Sequence, residues 1–95
     1  MEEAEKRKIK EELKALQKAI GERVRKMRKT RGMSQEAFQE FCGIGGRAQM
    51  SNIERGKQNL TLETLGKLAR KGFGMTRAQF LKGLEKDPKH KGRLE

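Results

Sequence analysis

Apolar side chains in the first third of the chain recur at intervals of three and four residues. Between Glu2 and Arg31 there is no proline, and the apolar residues are spaced 4, 3, 4, 4 and 3 positions apart. This apolar stripe consists of Ile9, Leu13, Leu16, Ile20, Val24 and Met27. The spacing places these side chains on one face of an amphipathic helix. It predicts a long first helix over residues 3–30, in which Gly21 permits a bend.

Three later helices begin with a shared signature. In each, a hydroxyl residue stands at the N-cap between one apolar residue directly before it and another four residues after it, the arrangement of a hydrophobic staple. The three N-cap residues are Ser34, Thr61 and Thr76. Gln79 follows Thr76 at the third position and completes a capping box. With the glycines that follow, these signals predict helices over residues 34–42, 47–55, 61–71 and 76–86.

Composition agrees with an all-α protein. Of the 95 residues, 39% are charged and only 4% are aromatic, with neither Trp nor Tyr. This composition favours helices over a β-sandwich. No run of apolar residues is long enough to span a membrane, and no secretory signal is present, so we expect a cytoplasmic protein. The single cysteine, Cys42, and the single histidine, His90, form no disulfide or zinc pattern. We therefore expect no metal, no cofactor and no enzymatic activity.

The formal charge of +11 indicates a polyanionic partner. The charge is unevenly distributed: residues 1–31 carry about +6, residues 57–95 carry about +6, and residues 32–56 carry about −1. The basic segments therefore flank a nearly neutral centre.

The second and third predicted helices are short, and the glycine-rich segment Gly43–Gly46 joins them. Two short helices on a glycine turn are typical of a helix-turn-helix, in which the first helix holds the second so that its outer face enters a groove. The predicted inner anchors are Ala37, Phe38, Phe41, Ile44, Met50 and Ile53. We expect all four aromatic side chains, Phe38, Phe41, Phe73 and Phe80, to lie in the core.

The outer face of the third helix is polar and nearly uncharged. It consists of Arg47, Ala48, Gln49, Ser51 and Asn52. Arginine pairs with the O6 and N7 atoms of guanine, and the amides of Gln and Asn pair with N6 and N7 of adenine. Such a face suits the reading of bases, whereas a face built for phosphates alone would be rich in lysine.

Two motifs carry a resemblance to a known family. Arg-Gly-Met-Ser-Gln-Glu at residues 31–36 and Ile-Glu-Arg-Gly-Lys at residues 53–57 resemble the lambda repressor/Cro-like helix-turn-helix domain of the XRE family, over about residues 20–84. Between Ser34 and Glu54 the chain has one residue more than the family's usual spacing. Either the turn is longer or the recognition helix begins one residue later.

The resemblance implies a five-helix lambda-repressor-like fold and assigns roles to individual residues. Gln35 resembles the glutamine that bonds a phosphate and braces the recognition helix. Arg28 and Glu54 match an ion pair between the first helix and the recognition helix. The residues matching the family's base readers are Arg47, Ala48, Gln49 and Asn52. The loop of Lys57, Gln58 and Asn59 matches one that lies beside the DNA backbone.

The basic end of the first helix fits the same arrangement. It carries six cations and no acid, namely Arg23, Arg25, Lys26, Arg28, Lys29 and Arg31. Phosphate contacts position a protein on DNA, and base contacts specify the site. We expect Arg25, Arg28 and Lys29 to contact phosphates. The predicted organisation is a helical extension at 1–19, a DNA-binding domain at 20–86 and a flexible basic tail at 87–95.

We therefore expect a sequence-specific, double-stranded-DNA-binding transcription regulator of bacterial or phage origin, a nucleoid-associated repressor that reads a pseudo-palindromic operator as a homodimer. A phage repressor, a restriction–modification controller and an antitoxin fit equally well. The dimer surface is either residues 3–19 or an exposed pair on the fifth helix, Leu81 and Leu84. The alternative is a protein-interaction module whose residues 3–19 bind a partner, with DNA binding secondary. An RNA-binding protein fits less well, because it needs exposed aromatic side chains.

Overall fold

The computed structural model describes residues 2–57 and 59–84, apart from the side chain of Arg47. These residues form five α-helices and contain no strand, which confirms the predicted all-α fold. The helices are α1 (Glu3–Thr30), α2 (Gln35–Cys42), α3 (Arg47–Glu54), α4 (Leu62–Lys67) and α5 (Arg77–Leu84). No helix among the described residues is long and apolar enough to cross a membrane. The predicted tail at 87–95 and residues 85–86 of the predicted fifth helix lie outside the described residues.

The three predicted N-caps are present. Ser34 Oγ accepts a hydrogen bond from the Ala37 N–H at 3.0 Å, and Thr61 Oγ1 accepts one from the Thr64 N–H at 3.0 Å. In the capping box, Gln79 N–H donates to the Thr76 hydroxyl at 3.1 Å, and Thr76 N–H donates to Gln79 Oε1 at 2.9 Å. These bonds satisfy N–H groups that have no partner inside the helix.

The end of the fourth helix differs from the prediction. In place of one α-helix over 61–71, α4 passes into a π-helical turn at Leu68–Gly72. Leu68, Ala69 and Gly72 are all buried in this turn. Gly72 lies so close to Phe38 that a Cβ there would be 3.1 Å from the ring. Leu65, Leu68, Ala69 and Gly72 have the i, i+3, i+4, i+7 spacing of one α-helical face, so hydrophobic periodicity does not reveal this change of winding.

The core lies between the C-terminal half of α1 and the other helices. Its buried apolar residues are Ile20, Val24, Phe38, Cys42, Ile44, Met50, Ile53, Leu65, Leu68, Ala69 and Phe80. Residues 3–15 of α1 are all exposed, so the helix projects beyond the core. The predicted apolar stripe is thus divided: Ile20 and Val24 are buried, while Ile9 is 51% exposed and Leu13 is 43% exposed.

Two predictions about apolar side chains are wrong. Phe41 is 42% exposed, because it lies about 60° around α2 from the buried Phe38 and reaches only the edge of the core. Its ring stacks on Phe38 with a centroid distance of 6.2 Å. Leu81 and Leu84 were expected to be exposed, but both are half-buried against the core, because α5 packs on α1 and on the π-helical turn.

Gly21 does not interrupt α1, which is continuous from Glu3 to Thr30. The residue instead allows α1 to touch the end of α3. A Cβ at Gly21 would lie 2.4 Å from the carbonyl oxygen of Ile53 and 2.7 Å from that of Glu54. About one turn earlier along α1, Lys18 meets Gly56, the residue that follows Arg55 after α3. Gly56 has φ +72°, and a Cβ there would lie 3.0 Å from Lys18 Cα. Two glycines therefore fix the direction of α3 against α1.

Candidate nucleic-acid interface

The turn between α2 and α3 is built from glycines and one apolar residue. Gly43 adopts a left-handed conformation with φ +74° and ends α2. Ile44 is buried, and its carbonyl accepts a hydrogen bond from the side-chain amide of Gln39. Gly46 is the N-cap of α3, which begins at Arg47. The extra residue noted in the sequence is therefore accommodated in a four-residue turn, Gly43–Gly46.

The two faces of α3 differ as the sequence predicted. Met50 and Ile53 are buried in the core. On the other side, Ala48 is exposed, and Gln49, Ser51 and Asn52 are half-buried. The side chain of Arg47 lies outside the described part of the chain. The structure thus brings four of the five candidate base readers to the accessible side of one helix.

A shallow groove separates this face of α3 from the start of α2. Its lining residues are Ser34, Gln35, Glu36, Ala48 and Ser51. The N-terminus of α2 therefore lies beside the middle of α3. The N–H groups and partial positive charge of a helix N-terminus attract anions such as phosphate.

An ion pair and the hydrogen bonds around it join α3 to α1 and to the start of α2. Arg28 Nε lies 2.6 Å from Glu54 Oε2, and Arg28 Nη2 lies 3.1 Å from Glu54 Oε1. Arg28 Nη1 also donates to the carbonyl of Met33 at 2.9 Å, and the Gln35 amide donates to Glu54 Oε1 at 3.1 Å. Gln35 thus braces α3 through Glu54. All three guanidinium nitrogens of Arg28 are engaged within the protein, so we assign Arg28 to this ion pair and not to a phosphate contact.

Two further arginines of this six-cation segment lie over aromatic rings of the protein. The Arg23 guanidinium lies 5.3 Å from the ring centre of Phe73 and 5.2 Å from that of Phe80. Arg31 lies 5.1 Å from the Phe41 ring and donates to the carbonyl of Gly72 at 2.9 Å. Cations over aromatic faces are held by the ring quadrupole. The six-cation segment therefore does not act as one basic surface: its exposed basic residues are Arg25, Lys26, Lys29 and Arg31.

The loop after α3 is attached to α1. Lys57 is exposed, and its N–H bonds to the carbonyl of Asn52 at 2.9 Å. Asn59 is exposed, and its side-chain oxygen accepts a hydrogen bond from Gln17 at 2.7 Å. Gln58, a predicted phosphate contact, lies outside the described residues. Lys57 is thus tied to the end of α3, and Asn59 is tied to α1.

Arg55 is a candidate residue that the sequence reasoning missed. It follows α3 directly, it is exposed, and its guanidinium donates to Asn52 Oδ1 at 3.3 Å. Helical spacing would have placed Arg55 on the same face as the candidate base readers, because it stands four residues after Ser51 and seven after Ala48.

Comparison with protein families agrees with this geometry. A family model described as helix-turn-helix matches residues 24–73, about half of the chain. Comparisons with curated proteins and with solved structures gave no match. The matched segment contains α2, the turn and α3, and residues 3–23 of α1 lie outside it.

Proposed function

Since the chain belongs to the XRE-type helix-turn-helix family of DNA-binding transcription regulators, we propose that it represses transcription by reading a pseudo-palindromic operator in double-stranded DNA as a homodimer. In this proposal α3 enters the major groove and the start of α2 rests on the DNA backbone. Binding to the operator would place the protein on the nucleoid, in the cytoplasm. The observation that carries the proposal is the polar, accessible face of α3, supported from behind by the Arg28–Glu54 pair.

Each residue of the reading face has chemistry that suits a base edge. The amides of Gln49 and Asn52 offer one donor and one acceptor, which matches N7 and N6 of adenine. Arg47 at the start of α3 suits guanine, and the methyl group of Ala48 suits a thymine methyl. The Ser51 hydroxyl can donate a hydrogen bond to a base edge or accept one from it. This face therefore supplies the sequence preference.

Arg55 orients one of these amides. Its hydrogen bond holds the Asn52 side-chain oxygen at 3.3 Å and so limits rotation of the amide. An amide held in one orientation loses less conformational freedom when it meets a base. We propose that Arg55 both positions Asn52 and lies next to a phosphate.

The phosphate contacts flank the reading face. We assign them to Gln35 at the start of α2, to Arg25 and Lys29 on α1, and to the loop Lys57–Asn59, which includes Gln58. The Arg25, Lys29 and Lys57 side chains are exposed. Each neutralised phosphate steepens the salt dependence of binding.

The projecting part of α1 offers a surface for a second copy. Ile9 and Leu13 are exposed there, on the stripe whose continuation is buried in the core. Leu81 and Leu84 are already half-buried within the domain, which favours the α1 stripe as the dimer surface. The same stripe supports the alternative function, in which residues 3–19 bind a different protein and DNA binding is secondary.

The DNA-binding proposal is tested by selecting duplexes from a random pool and measuring their affinity. Asn52→Ala or Gln49→Ala should lower the preference for the selected site over a scrambled duplex by about 1–3 kcal/mol. Lys57→Gln should weaken binding to both duplexes alike and lower the salt slope by about 1. Lys82→Gln, a change of the same charge on the exposed side of α5, serves as the control. Equal wild-type affinity for selected and scrambled duplexes overturns the proposal.

The dimer is tested separately, by sedimentation of Ile9→Glu/Leu13→Glu against Ala15→Glu, an exposed position of α1 away from the stripe. A homodimer through α1 should dissociate with the first variant and persist with the second. If the wild-type protein is a monomer, and the stripe variant still binds the operator with unchanged affinity, the alternative of a separate protein partner is favoured.

A further inference from the structure

Four cations line one side of the projecting part of α1. Arg7, Lys10, Lys14 and Lys18 are spaced 3, 4 and 4 residues apart, and all four are exposed. At 3.6 residues per turn they occupy an arc of about 80° around the helix. We call these four residues the basic row.

The basic row is rich in uncompensated charge. The ion pairs among the described residues are Arg28–Glu54 and Lys67–Glu63, so none of the four cations has an acidic partner there. Glu3 lies on the same arc at the start of the helix, and Glu11 lies just beyond its edge. Such an exposed row attracts a polyanion, and its regular spacing suits a polymer with a repeated charge.

The side of α1 that carries the basic row is the side on which the end of α3 and its loop are seated. Gly21 touches the last carbonyls of α3, Gly56 packs against Lys18, and Gln17 donates to Asn59. The row therefore continues from the Lys57–Asn59 loop along the free part of the helix. Because α1 is unbroken through Gly21, the row has a fixed direction relative to the reading face.

From these relations we infer that the basic row binds the phosphate backbone of duplex DNA outside the base pairs read by α3. The inference rests on the proposed function and extends it with a second contact surface for the same duplex. From Arg7 to Lys18 the helix rises about 17 Å, which corresponds to about five base pairs at 3.4 Å each. The protein thus covers a flanking segment without reading its sequence.

The test compares two double variants of equal charge on one selected site. Lys10→Gln/Lys14→Gln removes two members of the row, and Lys8→Gln/Lys26→Gln removes two exposed lysines that lie about 120° around α1 from the middle of the row. On a duplex with ten added base pairs at each end, the row variant should bind on the order of tenfold more weakly at 0.1 M salt, with a salt slope lower by about 2. The control variant should change both quantities much less.

Trimming the added base pairs supplies the second arm. Wild-type protein should then lose affinity, whereas the row variant should lose little, and the preference for the selected site over a scrambled one should be the same in both proteins. Equal losses in the two double variants, or a loss in the row variant that is independent of duplex length, overturn the inference. Failure of the proposed function is distinguished because wild-type protein would then show no preference for any selected site.

Discussion

Arg28 and Glu54, 26 residues apart in the chain, form a two-point ion pair that joins α1 to the last turn of α3. The side chains are 13% and 4% exposed, so water screens the pair only weakly. Glu54 also accepts from Gln35 at the start of α2. One carboxylate therefore links three helices and sets the position of the reading face.

We expect Arg28→Ala to lower the free energy of unfolding by about 3 kcal/mol, because it leaves the Glu54 carboxylate nearly buried without its cation. Urea denaturation measures this loss. Lys67→Ala, which removes the exposed i,i+4 pair with Glu63 at 3.5 Å, should cost no more than about 0.5 kcal/mol. Similar costs for the two variants would show that the Arg28 pair contributes no more than a surface pair.

Gly21→Ala should destabilise the protein although alanine is the better helix former. The propensity gain is about 1 kcal/mol. The new methyl group would lie 2.4 Å from the Ile53 carbonyl oxygen, and forcing α3 away from α1 should cost more than this gain, for a net loss of about 1–2 kcal/mol. Thermal unfolding checks the sign. Ala15→Gly, at an exposed position of the same helix, should lose about 1 kcal/mol through propensity alone, and a stabilised Gly21→Ala protein would refute the tight contact.

Cys42 should make stability fall at alkaline pH. Burial raises the pKa of its thiol from 9.0 to about 11, although the cations of Arg31 and Lys71 oppose the shift. Between these two values the unfolded chain loses the proton and the folded chain keeps it, so the free energy of unfolding decreases as pH rises. The full decrease attributable to this group is about 2–3 kcal/mol.

The measurement is the pH dependence of urea denaturation from pH 8 to 11 for the wild type and for Cys42→Ala. The two curves should differ in slope above pH 9, since the variant has no thiol to titrate. Parallel curves would mean that folding does not change the thiol's affinity for its proton.

The capping box of α5 should carry a measurable part of the stability. Thr76→Ala removes the acceptor of the Gln79 N–H and should cost about 1 kcal/mol, because α5 holds Phe80 in the core. Thr30→Ala, an exposed threonine in the last turn of α1, should change stability by less than about 0.5 kcal/mol. Chemical denaturation measures the free energy of unfolding of both variants. Equal losses would mean that any threonine-to-alanine change has this cost and that the cap itself contributes nothing.

Local features of this fold could be predicted because neighbouring residues create them. The N-caps Ser34, Thr61 and Thr76 bond to residues three positions away, and all three caps are present. The π-helical turn at Leu68–Gly72 could not be predicted, because the apolar spacing of its residues also fits an α-helix. The exposure of Phe41 could not be predicted either, because its distance from the core depends on how α2 is oriented.

The sequence by itself determined the five helices, their caps, the polar face of α3 and the concentration of cations on α1, because periodicity and local hydrogen bonding decide such features. The resemblance to the family already implied the Arg28–Glu54 pair, but tertiary structure alone decided which other cations are engaged. Arg23 and Arg31 lie over aromatic rings, and Arg31 also donates to a backbone carbonyl, whereas the side chains of Arg25 and Lys29 are exposed. An arginine carries the same charge whether it is engaged within the protein or exposed to solvent. Only the partners that folding brings near it distinguish a structural arginine from one that is free to contact DNA.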